Sequence, residues 1–380
     1  MKEKAMEEQR IAGYRLCEKL GEGAMGSVYL AKAIANNKEV ALKVLSPDLA
    51  QDPMFVARFL REATNATKLK KHPNIVEAYD WGQYNQTYYF AMEYVRGKSL
   101  AMLLLEQGKL SERMALFIAI KIAYALNHAN KYSIVHRDIK PENVLISLDG
   151  AIKLCDLGLA KDLTWDGSLS REGVMLGTAC YAAPEQIMGK LDIDFRADIY
   201  ALGITLYHML TGQSPLDGKK PHELALLYAA NKPAFNVAAN KELSAPVVKV
   251  LQKMTAVNPD QRYKDTKALL EDLESLYWGR ALQPQKDSPE SHNIQKAEKT
   301  DKEIVQNTKK LLPKKKSTKK IEKIDKGIVQ NTKNITMLFS KESVKKILSL
   351  CSIHRWKIIV VLEILVLAGM LYYFIISRME

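Results

Sequence analysis

Within HRDIKPENVLISLDGAIKLCDLG, residues 136–158, stand two aspartates and an asparagine whose spacing suits chemistry at a phosphate. NVLIS and AIKLC read as short strands around the turn Leu148-Asp149-Gly150. Antiparallel pairing then sets Asn143 opposite Cys155 and close to Asp156. An amide oxygen and a carboxylate at one end of a hairpin suit magnesium, a hard cation that keeps several of its waters. Asp138, five residues before Asn143, is placed to receive or orient the proton of an attacking hydroxyl. Lys140 is placed to neutralise charge on a phosphoryl group in transfer.

Three upstream features extend this pattern. GEGAMGSV, Gly21 to Val28, is a glycine cluster between two expected strands, so its backbone amides could fold over phosphate oxygens; an ordinary glycine hairpin would look the same. VALK places Lys43 on a strand, and RFLREA places Glu62 on the helix that follows. A lysine that grips phosphates needs a carboxylate to hold its flexible stem. Leu157, between Asp156 and Gly158, reads as an apolar packing element; the metal chemistry rests on Asp156.

Positioning these groups requires two kinds of architecture. Residues 14–45 alternate like strands and are broken at the glycine cluster and at Asn36-Asn37, which predicts three antiparallel strands. Residues 53–70 begin with Pro53 and place Phe55, Phe59, Ala63 and Ala66 on one helical face. IVEAYDWG and TYYFAMEYV complete a sheet of about five strands. After Gly97 the periodicity becomes helical, as in 111–130, where Ser111 can cap and Ala115, Ile118, Ala119, Ile122 and Leu126 repeat. DIYALGITLYHMLT, 198–211, is apolar nearly all round and predicts a helix central to a larger lobe, stopped by Gly212 and Pro215.

Taken together, these motifs resemble the protein kinase family, specifically its bacterial serine/threonine branch, over about residues 14–278. The glycine loop, Lys43, Glu62, HRD at 136–138, Asn143 and Asp156-Leu157-Gly158 stand in family order. GTACYAAPEQ, Asp198 and Arg262 follow. The resemblance implies an α+β fold of two lobes: a small antiparallel sheet with one main helix (14–95) and a mainly helical lobe (96–278). It implies ATP and Mg2+, with Mn2+ as a substitute, and protein substrates phosphorylated on Ser or Thr, since lysine stands two residues after the aspartate in HRDIKPEN.

In residue terms, the resemblance makes Asp138 the catalytic base and Asn143 and Asp156 the metal ligands. Lys43 would contact the α- and β-phosphates, Met92 would be the gatekeeper and Glu93 to Val95 the hinge. Leu20, Val28, Ala41 and Leu145 would surround adenine, and Gly21, Gly23 and Gly26 would cover the phosphates. Glu185 and Arg262 would form a structural ion pair, and Asp198 would tie down the catalytic loop. Arg137 resembles the arginine on which a phosphorylated activation loop docks. Thr178 is then a substrate-site threonine. Ser170 is an optional phosphate site and Glu172 a permanent partial charge, unless Glu172 is simply a solvated loop acid.

The remaining chain differs in composition. Across the whole 380 residues the apolar fraction is 47% and the charged fraction 26%, values ordinary for a globular protein. Residues 281–380 carry 20 Lys and Arg against 10 Asp and Glu, which is +10 of the total +13. The excess lies in a low-complexity tail, so nucleic-acid binding by the folded part is not expected. Four scattered cysteines read as reduced thiols, and MKEKAMEEQR lacks the apolar core of a secretory signal.

Residues 279–357 read as a basic linker containing a duplication: KAEKTDKEIVQNTK (296–309) recurs as KIEKIDKGIVQNTK (320–333). A spacer and a bivalent docking motif are the two readings. Residues 358–376 form an apolar run about 28 Å long as a helix. Thirteen Leu, Ile, Val and Phe residues favour insertion by about 4–8 kcal/mol, against about 3 kcal/mol for Glu363. Upstream Lys345, Lys346, Arg355 and Lys357 predict a single-pass anchor in the cytoplasmic membrane with the catalytic part in the cytoplasm. No external domain is expected beyond it. Glu363 either snorkels or pairs with another helix, as in a homodimer. The competing functional class is a membrane scaffold that binds nucleotide without phosphoryl transfer.

Overall fold

The alternating run from Tyr14 onward folds into antiparallel strands whose register sets which residues share a row. The computed structural model describes residues 10–157 and 180–282. Strands β1 (Arg10–Ile11), β2 (Tyr14–Gly23), β3 (Gly26–Ala33) and β4 (Glu39–Leu45) are followed by helix α1 (Pro53–Lys68) and strands β5 (Ala78–Tyr84) and β6 (Thr87–Glu93). The six strands lie in the order β1-β2-β3-β4-β6-β5. The sheet therefore has one strand more than expected, the two-residue β1.

Alternation divides the sheet into two apolar faces. Tyr14, Ala31, Val40, Leu42, Tyr89 and Ala91 pack on one side. Ala41, Leu45, Phe90 and Met92 face the other, where Phe59 and Ala63 of α1 cover them. Asp52 caps α1 by accepting from Met54 N at 2.8 Å, with Pro53 in the first turn. The buried stripe of α1 is Phe59, Glu62 and Ala63. Phe59, Ala63 and Ala66 of the expected face pack against the sheet, while Phe55 lies outside that cluster, under Arg58 at 5.7 Å.

The second lobe begins with β7 (Gly97–Ser99), which pairs with the hairpin of β8 (Val144–Ser147) and β9 (Ile152–Leu154). Helices α2 (Leu100–Gln107) and α3 (Glu112–Asn130) intervene, capped by Ser99 and Ser111. The helix Arg196–Thr211 is buried along almost its whole length and ends at Gly212 in the left-handed conformation. At its centre a Cβ on Gly203 would stand 2.8 Å from Thr255 Cγ2, so glycine lets the helix Ala245–Met254 approach. The helix Thr266–Tyr277 packs into the same core as α3.

A second connection joins the two lobes beside the chain segment 94–96. Val76 N donates to Leu154 O, and Leu154 N to Asn74 O, both at 2.9 Å. The Asn74 side chain donates to Ile152 O at 2.9 Å. Residues 74–76, just after α1, thus act as an additional strand against β9.

Among the described residues no helix is long and apolar enough to cross a membrane. The segment 358–376, the duplicated segments, Ser170, Glu172 and Thr178 lie outside the described residues.

Candidate active site

The β8–β9 hairpin pairs Val144 with Leu154, and one step further Cys155 N donates to Asn143 O at 3.0 Å. This is the register expected from the sequence, and it brings Asn143 beside Asp156. The Asn143 side chain donates through Nδ2 to Asp138 O at 2.7 Å and to Asp138 Oδ2 at 3.0 Å. Its amide oxygen is left as the end not engaged with Asp138. Lys140 Nζ lies 3.0 Å from Asp138 Oδ2.

Asp198 secures the loop that carries these groups. Its carboxylate accepts from His136 N at 2.8 Å and Arg137 N at 2.7 Å. Burial raises the pKa of Asp198, while His136 and Arg137 oppose that rise. His136 Nδ1 accepts from Asp138 N at 3.3 Å, which leaves Nε2 to donate to Cys155 O at 3.0 Å. Gln186 Nε2 donates to Arg137 O at 2.9 Å. These bonds hold two residues in left-handed backbone, Arg137 at φ +65° and Asp156 at φ +57°. Non-glycine residues occupy that region at a cost of about 1–3 kcal/mol each, offset by the surrounding bonds.

Lys43 bridges two carboxylates, with Nζ 2.7 Å from Glu62 Oε1 and 3.2 Å from Asp156 Oδ1. Burial works to lower the Lys43 pKa, but Asp156 and Glu62 together raise it and keep the ammonium charged. Burial pushes Glu62 up, opposed by Lys43 and aided by Asp156. Glu62 Oε2 is buried with no hydrogen-bond partner among the described residues.

The glycine turn lies in the same row. Gly21 pairs with Val28, and Val28 with Lys43. A Cβ on Gly21 would meet nothing within 4 Å, and one on Gly23 only Gly26 O at 3.9 Å. Packing of the protein on itself does not require glycine at these two positions. Gly26 differs: at φ +148° its Cβ would lie 2.0 Å from Val44 O.

One apolar cluster gathers Ala41 and Met92 with Val28, Val95, Leu145 and Cys155. Leu20 stands apart from it and is 42% exposed. The Glu93 carboxylate is committed to Lys153 at 2.9 Å and to Glu77 N at 3.2 Å. The Glu93 side chain is therefore engaged by Lys153 and the Glu77 main chain.

Lower in the large lobe, Arg262 and Glu185 form a buried two-point ion pair at 2.6 and 2.8 Å. Arg262 donates further to Ala256 O and Arg196 O, each at 2.8 Å. Arg137 Nη2 reaches Ile193 O at 3.5 Å.

A divalent cation fits this donor set. Asp156 supplies a carboxylate that is 28% exposed, and the free end of the Asn143 amide supplies a neutral oxygen. A carboxylate and an amide oxygen are hard donors of the kind taken by an ion that retains waters. Sequence reasoning singled out Lys43, Glu62, Asp138, Lys140 and Asp156 but missed the scaffolding by Gln186, Asn74 and the His136 ring. Their types are common in loops, and no spacing marks them.

A lysine held between two carboxylates, an asparagine and aspartate on a short hairpin and a glycine turn over the same row thus come together in a two-lobed fold. The protein kinase domain family matches residues 14–273, and the chain belongs to that family. It is 38% identical over 273 residues to the serine/threonine-protein kinase PknB of Mycolicibacterium smegmatis, covering 70% of this chain and 43% of that protein. It is 38% identical over 270 residues to the serine/threonine-protein kinase PrkC of Bacillus subtilis, covering 71% and 41%. The solved PknI kinase domain of Mycobacterium tuberculosis is similar with a TM-score of 0.57 at 30% identity, covering 70% of this chain and 97% of that one. The chain thus matches less than half the length of the two full kinases.

Proposed function

We propose that the chain is a serine/threonine protein kinase that transfers the γ-phosphate of ATP to hydroxyls of cytoplasmic proteins. The observation that carries this is the joint presence of the bonded Lys43–Glu62–Asp156 bridge and the bonded Asp138–Asn143–Lys140 loop, joined through the main-chain bond from Cys155 N to Asn143 O. Asp138 accepts the proton of the attacking hydroxyl, whose oxygen bonds to the γ-phosphorus as the bond to ADP breaks. Lys140, beside that carboxylate, neutralises charge on the phosphoryl oxygens. Lys43, fixed by Glu62, holds the α- and β-phosphates, and Ala41, Val28 and Leu145 enclose adenine. Mg2+ held by Asn143 and Asp156 would neutralise charge between the β- and γ-phosphates, and Mn2+ suits the same oxygens. A nucleotide-binding scaffold without transfer would lack one of these groups, and each is present. The test is incorporation of label from radiolabelled ATP by the chain beside Asp138→Asn; equal labelling of both would overturn the assignment.

The same proposal places the kinase at the inner face of the cytoplasmic membrane through 358–376, with Arg137, Ser170 and Glu172 governing activity and Thr178 at the substrate site. It rests on the apolar run and its upstream positive charge. Truncation after residue 357 should move the protein from the carbonate-resistant membrane fraction to the supernatant. An unphosphorylated Ser170, with Ser170→Ala fully active, would remove the switch.

A further inference from the structure

His72, Pro73 and Asn74 lead from α1 into the strand-like segment beside β9. The His72 ring closes a tight turn here, since Asn74 N donates to His72 Nδ1 at 3.2 Å. An imidazole nitrogen that accepts carries no proton, so the neutral ring holds its proton on Nε2. Three further bonds begin within two residues of that N–H. The Asn74 side chain donates to Ile152 O, Leu154 N donates to Asn74 O and Val76 N donates to Leu154 O, each at 2.9 Å. One residue beyond Leu154, Cys155 N donates to Asn143 O at 3.0 Å, and Asp156 follows. The His72 acceptor thus stands at the head of a bonded path that ends beside Asn143 and Asp156.

The surroundings of the ring are cationic. His128 of α3 stacks on it, with centroids 4.7 Å apart and 27° between the planes. His128 Nε2 donates to Lys70 O at 3.0 Å, and its ring meets that of Tyr132 at 5.3 Å. Burial, then His128, Lys131 just past α3 and Lys153 of β9, keep His72 neutral. Two carboxylates of this region are engaged by other cations, Glu77 by Lys71 at 3.0 Å and Glu93 by Lys153 at 2.9 Å. A proton arriving on His72 must go to Nδ1, where it faces the Asn74 N–H. Two donors cannot share one bond, so the turn opens and the head of the path is released.

We propose that the His72–Asn74 bond is an acid-released latch, whose opening loosens the pairing of 74–76 with β9 and reversibly turns down phosphoryl transfer. The inference rests on the transfer reading above, while the latch itself is a property of the fold. The closed turn holds the His72 pKa down to about 4, whereas a released ring takes its proton near the ordinary 6.5. The open form therefore binds the extra proton and is favoured as pH falls from about 6.5 towards 4. Between pH 7.5 and 5.5 the gain is roughly tenfold.

The test compares the full chain with His72→Asn and His72→Ala. Asparagine offers an amide oxygen to the N–H two residues on and does not titrate, while alanine offers no acceptor. Hydrogen exchange, corrected for the intrinsic rate at each pH, is followed on peptides containing Val76 and Leu154. Their protection should fall roughly tenfold between pH 7.5 and 5.5 in the native chain, stay constant in His72→Asn, and be low at both pH values in His72→Ala. Transfer of label from ATP to a generic protein substrate should fall at least roughly threefold more in the native chain than in His72→Asn, and return at pH 7.5. Peptides from the helix Arg196–Thr211 should keep their protection; loss there as well would mean general unfolding and overturn a local latch. Equal acid loss of protection in the native chain and His72→Asn, or equal acid loss of activity in both, would also overturn it. Absence of label transfer at pH 7.5 would instead refute the transfer reading, and the exchange data would still decide the latch.

Discussion

Asp138 is held by the Asn143 amide and by Lys140, and its own backbone N–H is anchored on the His136 ring. Its carboxylate is thus aimed before substrate arrives, so replacing it should change the chemical step more than binding. Asp138→Asn should lower kcat by roughly 10²–10⁴-fold with little change in KM for ATP, read by steady-state kinetics. Asp156→Ala should remove activity, because the Lys43 bridge and the metal carboxylate are lost together. Leu157 is buried in the large-lobe core, so the leucine in this triplet is a packing choice rather than a lost ligand. Leu157→Phe should keep activity and shift stability by about 1–3 kcal/mol through overpacking. His72 carries a pH prediction. Burial, then His128, Lys131 and Lys153, push its pKa down to about 4, while the unfolded chain takes a proton near 6.5. A lowered pKa means that the unfolded state binds more protons, so stability is lost as pH falls from about 6.5 to 4. His72→Gln should flatten the fall in melting temperature across that window.

The β2–β3 turn separates two kinds of glycine. Gly26→Ala drives a Cβ into Val44 O and should lower thermal stability, whereas Gly21→Ala enters open space. Gly21→Ala should raise KM for ATP at an unchanged melting temperature, measured by calorimetry beside kinetics. The helices below depend on the Arg262–Glu185 pair, whose remaining donors are also satisfied. Arg262→Met alone should cost about 3–5 kcal/mol in urea unfolding, because it strands the buried Glu185 carboxylate. These elements differ in how far the sequence announces them. The β8–β9 register, the capped helix α3 and the apolar helix at 196–211 follow from local pattern. The N-terminal limit of the α1 face does not, because Phe55 and Phe59 are equally apolar and only the sheet opposite takes up Phe59 and leaves Phe55 out. The strand-like pairing of residues 74–76 is equally hidden, since three residues carry no periodicity. β1 has the same difficulty, its pairing depending on a turn at Ala12 rather than on a pattern of its own.

Across the two lobes the site is assembled from distant parts of the chain: Lys43 and Glu62 come from the small lobe, Asp138, Asn143 and Asp156 from the large one. Nucleotide should therefore stabilise both lobes at once. At a hundredfold excess over its Kd, an ATP analogue with Mg2+ should raise unfolding stability by about 2.7 kcal/mol, and the Mg2+-dependent share should vanish in Asp156→Ala. The family motifs made this assembly legible because each marks a position that must face the same phosphate. The scaffolding bonds were not legible, because main-chain acceptors leave no trace in residue type. Residues 74–76 bonded to β9, together with the connection at 94–96, pin the lobes along two lines. A body pinned in this way keeps one rotational freedom, and α1 becomes a lever whose pivot lies just past Lys68. Glu62 is six residues up that lever, about 9 Å at 1.5 Å per residue. Lys43 rides with Glu62 on the small lobe, so a rotation of roughly 10° would carry that pair about 1.5 Å past the large lobe, enough to part the lysine from the Asp156 carboxylate now 3.2 Å away. A small angle at the pivot is thereby converted into an all-or-none contact at the phosphates.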